Sequence, residues 1–192
     1  MKIIFASQNK NKIAEIQNKL PHVEILGLNP LIFPNELLET GDTLGQNALQ
    51  KARQVYEKTN STCFSDDTGL EVEELNGAPG VYSARYAGGQ RDSEANMDLL
   101  LKNLTNRANR KARFKTVIAL ILEGEEYLFE GICEGEITYV RSGAQGFGYD
   151  PIFVPAGYSK TFAEMTMAEK STFSHRGKAV DKLVDFLNEL SE

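Results

Sequence analysis

The chain reads as an α/β protein built on a mixed β-sheet. Two patterns predict this. In the first half, short apolar runs alternate with stretches whose apolar residues recur at helical spacing. In the second half, two long strand-like runs follow one another, separated only by Glu123-Gly124-Glu125. The first pattern predicts strands joined by helices, and the second predicts an antiparallel hairpin.

The elements follow in order. Lys2 to Ala6 is a buried first strand, and Ser7 to Asn11 is a polar turn. A helix comes next, with Ile13, Ile16 and Leu20 on one face, and Pro21 stops it. Val23 to Leu26 is a second strand. Asn29 to Glu39 is irregular, broken by Pro30 and Pro34. Thr43 is placed to cap a helix carrying Leu44, Ala48, Ala52 and Val55. Thr62 to Ser65 is a third strand, ending in Asp66-Asp67-Thr68-Gly69, which reads as turn chemistry. Gly77 to Arg91 is loop-rich, and a helix starts at Ser93 with Met97, Leu100, Leu101 and Leu104. Ala112 to Leu122 and Glu126 to Ile137 form the hairpin. Gly143 to Tyr158 is rich in glycine and aromatic residues. A last helix begins near Ser174, with Val180, Leu183, Val184, Leu187 and Leu190 as a core or dimer stripe. No linker or repeat divides the chain, so residues 1–192 are expected to form one domain.

Composition narrows the function. Hydrophobic residues make up 41% and charged residues 25% of 192, a globular balance. No apolar run reaches the roughly 20 residues that span a bilayer, and Met1 to Ala6 is too short for a signal-peptide core. Two cysteines offer no disulfide framework or Cys-rich zinc site, so a cytoplasmic location is expected. A net charge of −6 disfavours nucleic-acid partners. A small anionic substrate needs a local basic pocket instead.

Four segments could build such a site. Ser7-Gln8-Asn9-Lys10-Asn11-Lys12 lies between a strand and a helix start, where backbone N–H groups bind anions, and it adds two lysines. It is also ordinary polar-turn chemistry. Leu38-Glu39-Thr40-Gly41-Asp42 is either helix capping or a source of a carboxylate for Mg²⁺, which takes one or two carboxylates plus substrate phosphates. Gly146-Phe147-Gly148-Tyr149-Asp150-Pro151 is either a bend with Phe147 in the core or a platform on which an exposed Phe147 stacks a base. Glu169 to Lys178 gathers Lys170, His175 and Arg176 at a helix start, as solvated charges or as a clamp of donors. Together these supply what a magnesium–nucleoside triphosphate needs. The G-x-x-x-x-G-K-[ST] phosphate loop, the G-x-S-x-G elbow and the H-E-x-x-H zinc motif are all absent.

With these strings in order, the sequence resembles the inosine triphosphate pyrophosphatase family, which hydrolyses dITP, ITP and XTP. Asn47-Ala48, Lys51-Ala52, Ser65 to Leu70, Gly77 to Tyr86 and Ser174-His175-Arg176 complete the set across nearly the whole chain. The resemblance implies an elongated mixed sheet flanked by helices, with two lobes around a central cleft. It also implies a homodimer, Mg²⁺ dependence and release of pyrophosphate in one step. It implies Ser7, Asn9 and Lys12 at the phosphates, within a substrate-binding turn that includes Gln8, Lys10 and Asn11. Glu39 and Asp67 are implied at the metal, with Asp67 also activating water. Thr68 is implied to touch substrate, Phe147 to stack on the base beside Gly148 and Tyr149, and Asp150 to hold the nucleoside. Lys170, His175 and Arg176 are implied to line the base pocket. Strand alternation turns Asp66 and Asp67 to opposite faces, which leaves Asp66 to the turn or to a neighbouring contact. Two other readings fit some of these parts: a nucleotide sensor that does not hydrolyse, and a pyrophosphatase for modified pyrimidine or canonical-like nucleotides on a related architecture.

Overall fold

In a computed structural model, the described residues form six strands and five α-helices. Residues 1–190 are described, without the side chains of Asn11 and Glu15. The strands are β1 (Lys2–Phe5), β2 (Glu24–Leu26), β3 (Cys63–Val72), β4 (Lys111–Leu122), β5 (Glu125–Ile137) and β6 (Phe153–Pro155). They form one sheet in the order β2-β1-β3-β4-β5-β6. β1 pairs parallel with both β2 and β3, while β5 and β6 pair antiparallel, so the sheet is mixed. The helices are α1 (Lys10–Lys19), α2 (Leu44–Thr59), α3 (Ser93–Asn103), the short α4 (Met167–Ser171) and α5 (His175–Glu189).

The chain packs as two compact units. The first comprises residues 1–67, 117–130 and 179–192, and the second comprises residues 68–116 and 131–178.

In the first unit, β1 alternates so that Ile3 and Phe5 are buried. Phe5 stands opposite Phe64 of β3, and the rings stack at 4.5 Å with an interplanar angle of 8°. Ile16 of α1, Leu20 just past its end, and Val180, Leu183 and Leu187 of α5 complete this core. Leu190 lies beyond α5 and is exposed. Helix α2 carries a full capping box: Thr43 accepts from the Gln46 N–H and the Gln46 side chain accepts from the Thr43 N–H. Its buried stripe uses small residues where β3 comes close. Ser65 Oγ donates to the Ala48 carbonyl, and Cys63 Sγ donates to the Ala52 carbonyl at 3.3 Å. These two contacts tie β3 to α2 just before the aspartates.

The third strand is longer than the sequence reading has it. Asp66-Asp67-Thr68-Gly69 is not a turn; the strand continues to Val72. Extended pairing prevails over local turn propensity here because Leu70 and Val72 are fully buried in the second unit's core. The hairpin is as expected. Glu123 and Gly124 form a two-residue loop with both φ values positive, the twist that suits antiparallel strands.

The second unit's core is built on Leu70, Val72, Phe114, Ile152, Phe153 and Phe162, with Met97 and Leu100 from α3 and Leu104 at its C-cap. β6 and α4 have no counterpart among the elements that the sequence predicts.

Truncating a ring in a closed stack leaves a cavity that neighbours fill only in part. Phe5→Ala should lower unfolding stability by about 3–5 kcal/mol, read as a lower urea midpoint with an unchanged slope.

Candidate active site

The first unit gathers acidic and basic residues at the end of its segment of β3. Asp66 and Asp67 point to opposite sides, as strand alternation requires. Asp66 accepts Lys12 Nζ on both carboxylate oxygens, at 3.1 and 2.8 Å. It therefore serves a long-range ion pair and not a turn. On the other side, Lys51 Nζ from α2 donates to Glu39 Oε1 at 2.5 Å and to the Asp66 carbonyl at 2.7 Å. It also lies 3.9 Å from Asp67 Oδ1. Lys51, part of the Lys51-Ala52 string of the resemblance, is not among the site residues that the sequence predicts. Its position one helical turn from Asn47 and Ala48, on the face of α2 that meets β3, is the signal that could have found it.

Glu39 is held by its loop and is not a helix cap. Gly41 N–H donates to Asn47 Oδ1 at 2.8 Å, and Thr40 N–H donates to Gln50 Oε1 at 2.8 Å. A Cβ on residue 41 would fall 2.6 Å from Gln46 Cβ, so the close approach requires glycine. The loop is thus clamped to α2 just where Glu39 must meet Lys51.

The Ser7 to Lys12 turn precedes α1. The Asn9 N–H donates to Ser7 Oγ at 3.1 Å, and Asn9 Oδ1 accepts from the Lys12 N–H at 3.3 Å. Asn9 therefore acts as the cap of α1. Gln8 and Lys10 are exposed, and the side chain of Asn11 lies outside the described residues.

A hard divalent cation fits the carboxylate pair. Glu39 and Asp67 both approach one cationic group, Lys51 Nζ, and both offer oxygen ligands. Among the described residues, no group of three or more His, Cys, Asp or Glu is arranged to hold a metal. A bound ion would therefore draw its remaining ligands from water or phosphate, as Mg²⁺ does in nucleotide sites.

The second unit contains a cavity of about 190 Å³, room for a flat heteroaromatic ring. It brings together Thr68, Phe147, Gly148, Tyr149, Asp150, Lys170, His175 and Arg176. Thr68 Oγ1 is 2.7 Å from Thr116 Oγ1. Phe147 is 65% exposed, which excludes the core reading of its segment. Lys170 Nζ and Arg176 Cζ each lie 5.7 Å from the centre of its ring. Asp150 is buried, and its Oδ2 accepts from the Phe147 N–H at 3.0 Å and from Lys170 Nζ at 2.5 Å. A Cβ on residue 146 would fall 2.0 Å from that same oxygen, so Gly146 is the space Asp150 occupies.

His175 is the first residue of α5 and stacks on Phe114 at 4.7 Å and 14°. Ser174 Oγ accepts from the Gly177 N–H at 3.1 Å and caps the helix. A Cβ on residue 177 would fall 2.2 Å from the Ser171 carbonyl oxygen, so Gly177 lets α5 start hard against the end of α4. Tyr149 lines the cavity, but its hydroxyl donates to the Ser83 carbonyl at 2.8 Å. Burial pushes that hydroxyl's pKa up and keeps it a donor. Ser83, Asn96, Phe114 and Arg91 also line the cavity and are not among the site residues that the sequence predicts.

Neither cysteine is equipped for nucleophilic chemistry. Both are buried, which pushes the Cys63 thiol up to about 12 and the Cys133 thiol up to about 11.

Comparison with known proteins places this geometry in a family. The Ham1 family model matches residues 3–186. A dITP/XTP pyrophosphatase of Flavobacterium johnsoniae is 55% identical, over 97% of this chain and 98% of its own length. One from Porphyromonas gingivalis is 48% identical, over 97% of both chains. Among solved structures, the Staphylococcus aureus Ham1 protein superposes with a TM-score of 0.94 at 39% identity, covering 98% of this chain and 99% of that one. A nucleoside-triphosphatase/dITP/XTP pyrophosphatase from Mycobacterium abscessus gives 0.83 at 44% identity, covering 95% and 98%. The match runs through the Glu39–Lys51–Asp67 group and through every residue named on the cavity wall, and the chain belongs to the Ham1 family.

Proposed function

We propose that this chain hydrolyses non-standard purine nucleoside triphosphates, namely dITP, ITP and XTP, to the monophosphate and pyrophosphate, with Mg²⁺ as cofactor. The observation that carries the reading is Asp67, set on β3 with Glu39 as its carboxylate partner across Lys51. It stands in a chain 55% identical to a dITP/XTP pyrophosphatase. The homodimer and the cytoplasmic location belong to the same reading and rest on the family likeness alone. Among the described residues no helix is long and apolar enough to cross a membrane.

In this mechanism the triphosphate meets the α1 N-terminus, where backbone N–H groups and Lys12 favour anions. Glu39 and Asp67 would hold Mg²⁺, which when bound offsets phosphate charge. Asp67 orients a water molecule and accepts its proton as the water oxygen bonds to the α-phosphorus. The bond from that phosphorus to the bridging oxygen breaks, and pyrophosphate leaves. Such phosphoryl chemistry depends mainly on positioning and charge, because the substrate carries about four negative charges. Asp67 and Thr68 are consecutive residues of β3, so the residue assigned to the water and one that lines the base cavity are joined by a single peptide bond.

The base is read by donors. Hypoxanthine and xanthine present an acceptor at O6, whereas adenine presents an amino donor. His175 and Arg176, with the first N–H groups of α5, supply donors on the cavity wall. Phe147 offers its exposed face for stacking.

The direct test is a panel of nucleoside triphosphates with Mg²⁺ and chromatographic resolution of products. Monophosphate plus pyrophosphate from ITP and XTP, with ATP spared, is expected; orthophosphate release or no turnover would sink the reading. Asp67→Asn should fold, keep nucleotide affinity and lose about 10²–10⁴ in kcat. Lys51→Met should leave the base cavity intact and cost about 10² in kcat by letting the two carboxylates shift. Its signature is a need for more Mg²⁺ at half-maximal rate, with nucleoside monophosphate binding unchanged. Arg176→Ala should shrink the preference for ITP over ATP by about tenfold or more, out of the roughly 10⁴ that a hydrogen-bonding site can supply. An unchanged ratio would move the reading of O6 elsewhere.

A further inference from the structure

We propose that Arg91 is a specificity residue of the base cavity, reading the purine 2-position and favouring xanthine over hypoxanthine and guanine. The inference rests on the proposed purine site. Arg91 lines the same cavity as Lys170, His175 and Arg176 but comes from a separate segment, just before α3. With O6 turned toward His175 and Arg176, the opposite edge of a purine faces another part of the wall.

Two observations describe the segment that carries this arginine. Its backbone is left-handed, with φ of 54°, a conformation that glycine adopts freely and a long side chain rarely does. Both flanks are anchored. The Ala87 N–H donates to Asn96 Oδ1 at 2.7 Å, and Asp92 Oδ1 caps α3 by accepting from Glu94 and Ala95 N–H groups at 2.9 and 3.2 Å. Arg91 thus lines the cavity from a left-handed backbone position between these two contacts.

The charge of the wall gives the chemistry. Among the described residues lining the cavity, Arg91, Lys170 and Arg176 are cationic and Asp150 is anionic. His175 and the Tyr149 hydroxyl are the other groups there that can titrate. With His175 neutral the wall carries +2, in a chain whose net charge is −6. Xanthine nucleotides lose the N3 proton near neutral pH and spread negative charge onto O2. Hypoxanthine has only hydrogen at the 2-position and stays neutral. Guanine carries an amino donor there, which a guanidinium cannot accept. A cation with five donors and no acceptor therefore ranks the three bases in that order.

The test uses Arg91→Gly, which suits the left-handed backbone, and Arg91→Lys, which keeps the charge. At pH 8 the glycine variant should lower the XTP-to-ITP ratio of kcat/KM by about tenfold, within what one well-placed polar contact discriminates. It should also raise GTP turnover relative to ITP. The lysine variant should recover at least about a third of the lost XTP preference. At pH 5, where xanthine is protonated, the drop in the ratio should shrink to less than about threefold, since the charged contact is gone. A ratio that stays within twofold of wild type at pH 8 would overturn the proposal and assign Arg91 to the phosphates or to the loop alone. Absence of turnover of any purine triphosphate by the unmodified protein would instead overturn the purine site itself.

Discussion

The ammonium group of Lys51 organises the acidic cluster of the first unit. Glu39 reaches it from a loop, Asp67 from β3, and the Asp66 backbone from the same strand. Without a cation between them, the two carboxylates of Glu39 and Asp67 would repel each other. With Lys12 held on Asp66, the five side chains carry a net charge of −1, low enough for anionic phosphates to approach once a divalent ion is added. Such ion pairs contribute little net stability, because desolvation offsets most of the Coulomb attraction. Their effect is on geometry. They hold two acids at one place until substrate and metal ion supply the remaining charge.

The second unit solves a different problem, which is how to present donors at the wall of a small cavity. It uses missing side chains. Gly146 leaves the space that the Asp150 carboxylate fills, and Gly177 lets α5 begin against the Ser171 carbonyl. Each glycine permits a close approach beside residues of the cavity wall: Asp150 with Lys170, and His175 with Arg176. The floor is apolar and rigid, with Phe114 stacked under His175 and packed beside Phe153 and Phe162. A flat polar ring could slide into such a slot without rearranging the core.

Much of this was legible in the residues. The strand and helix alternation, the Thr43 cap, the Glu123-Gly124 hairpin and the Ser174 start of α5 follow from local chemistry, and the structure has them in place. The turn reading of Asp66 to Gly69 fails because it weighs local propensity alone. Burial of Leu70 and Val72 is a tertiary effect that four residues cannot announce. Lys51 was hidden for a related reason. On α2 it looks like one more surface lysine, and only the closeness of β3 at Ala48 and Ala52 shows where its side chain ends. The choice between a core and a platform role for Phe147 also required the fold, since Gly-Phe-Gly suits both.

One consequence of that exposed ring is spectroscopic. The chain has no tryptophan. Phe147 stands 65% in solvent, so an indole at that position would need no room in the core. It would be the protein's sole tryptophan emitter, set where a base is proposed to stack and beside two cations that hold its orientation. Stacking with a purine quenches indole emission. The same feature that exposes an aromatic face to the nucleotide therefore makes the site a natural place for a built-in optical reporter of occupancy, readable without turnover and without a label.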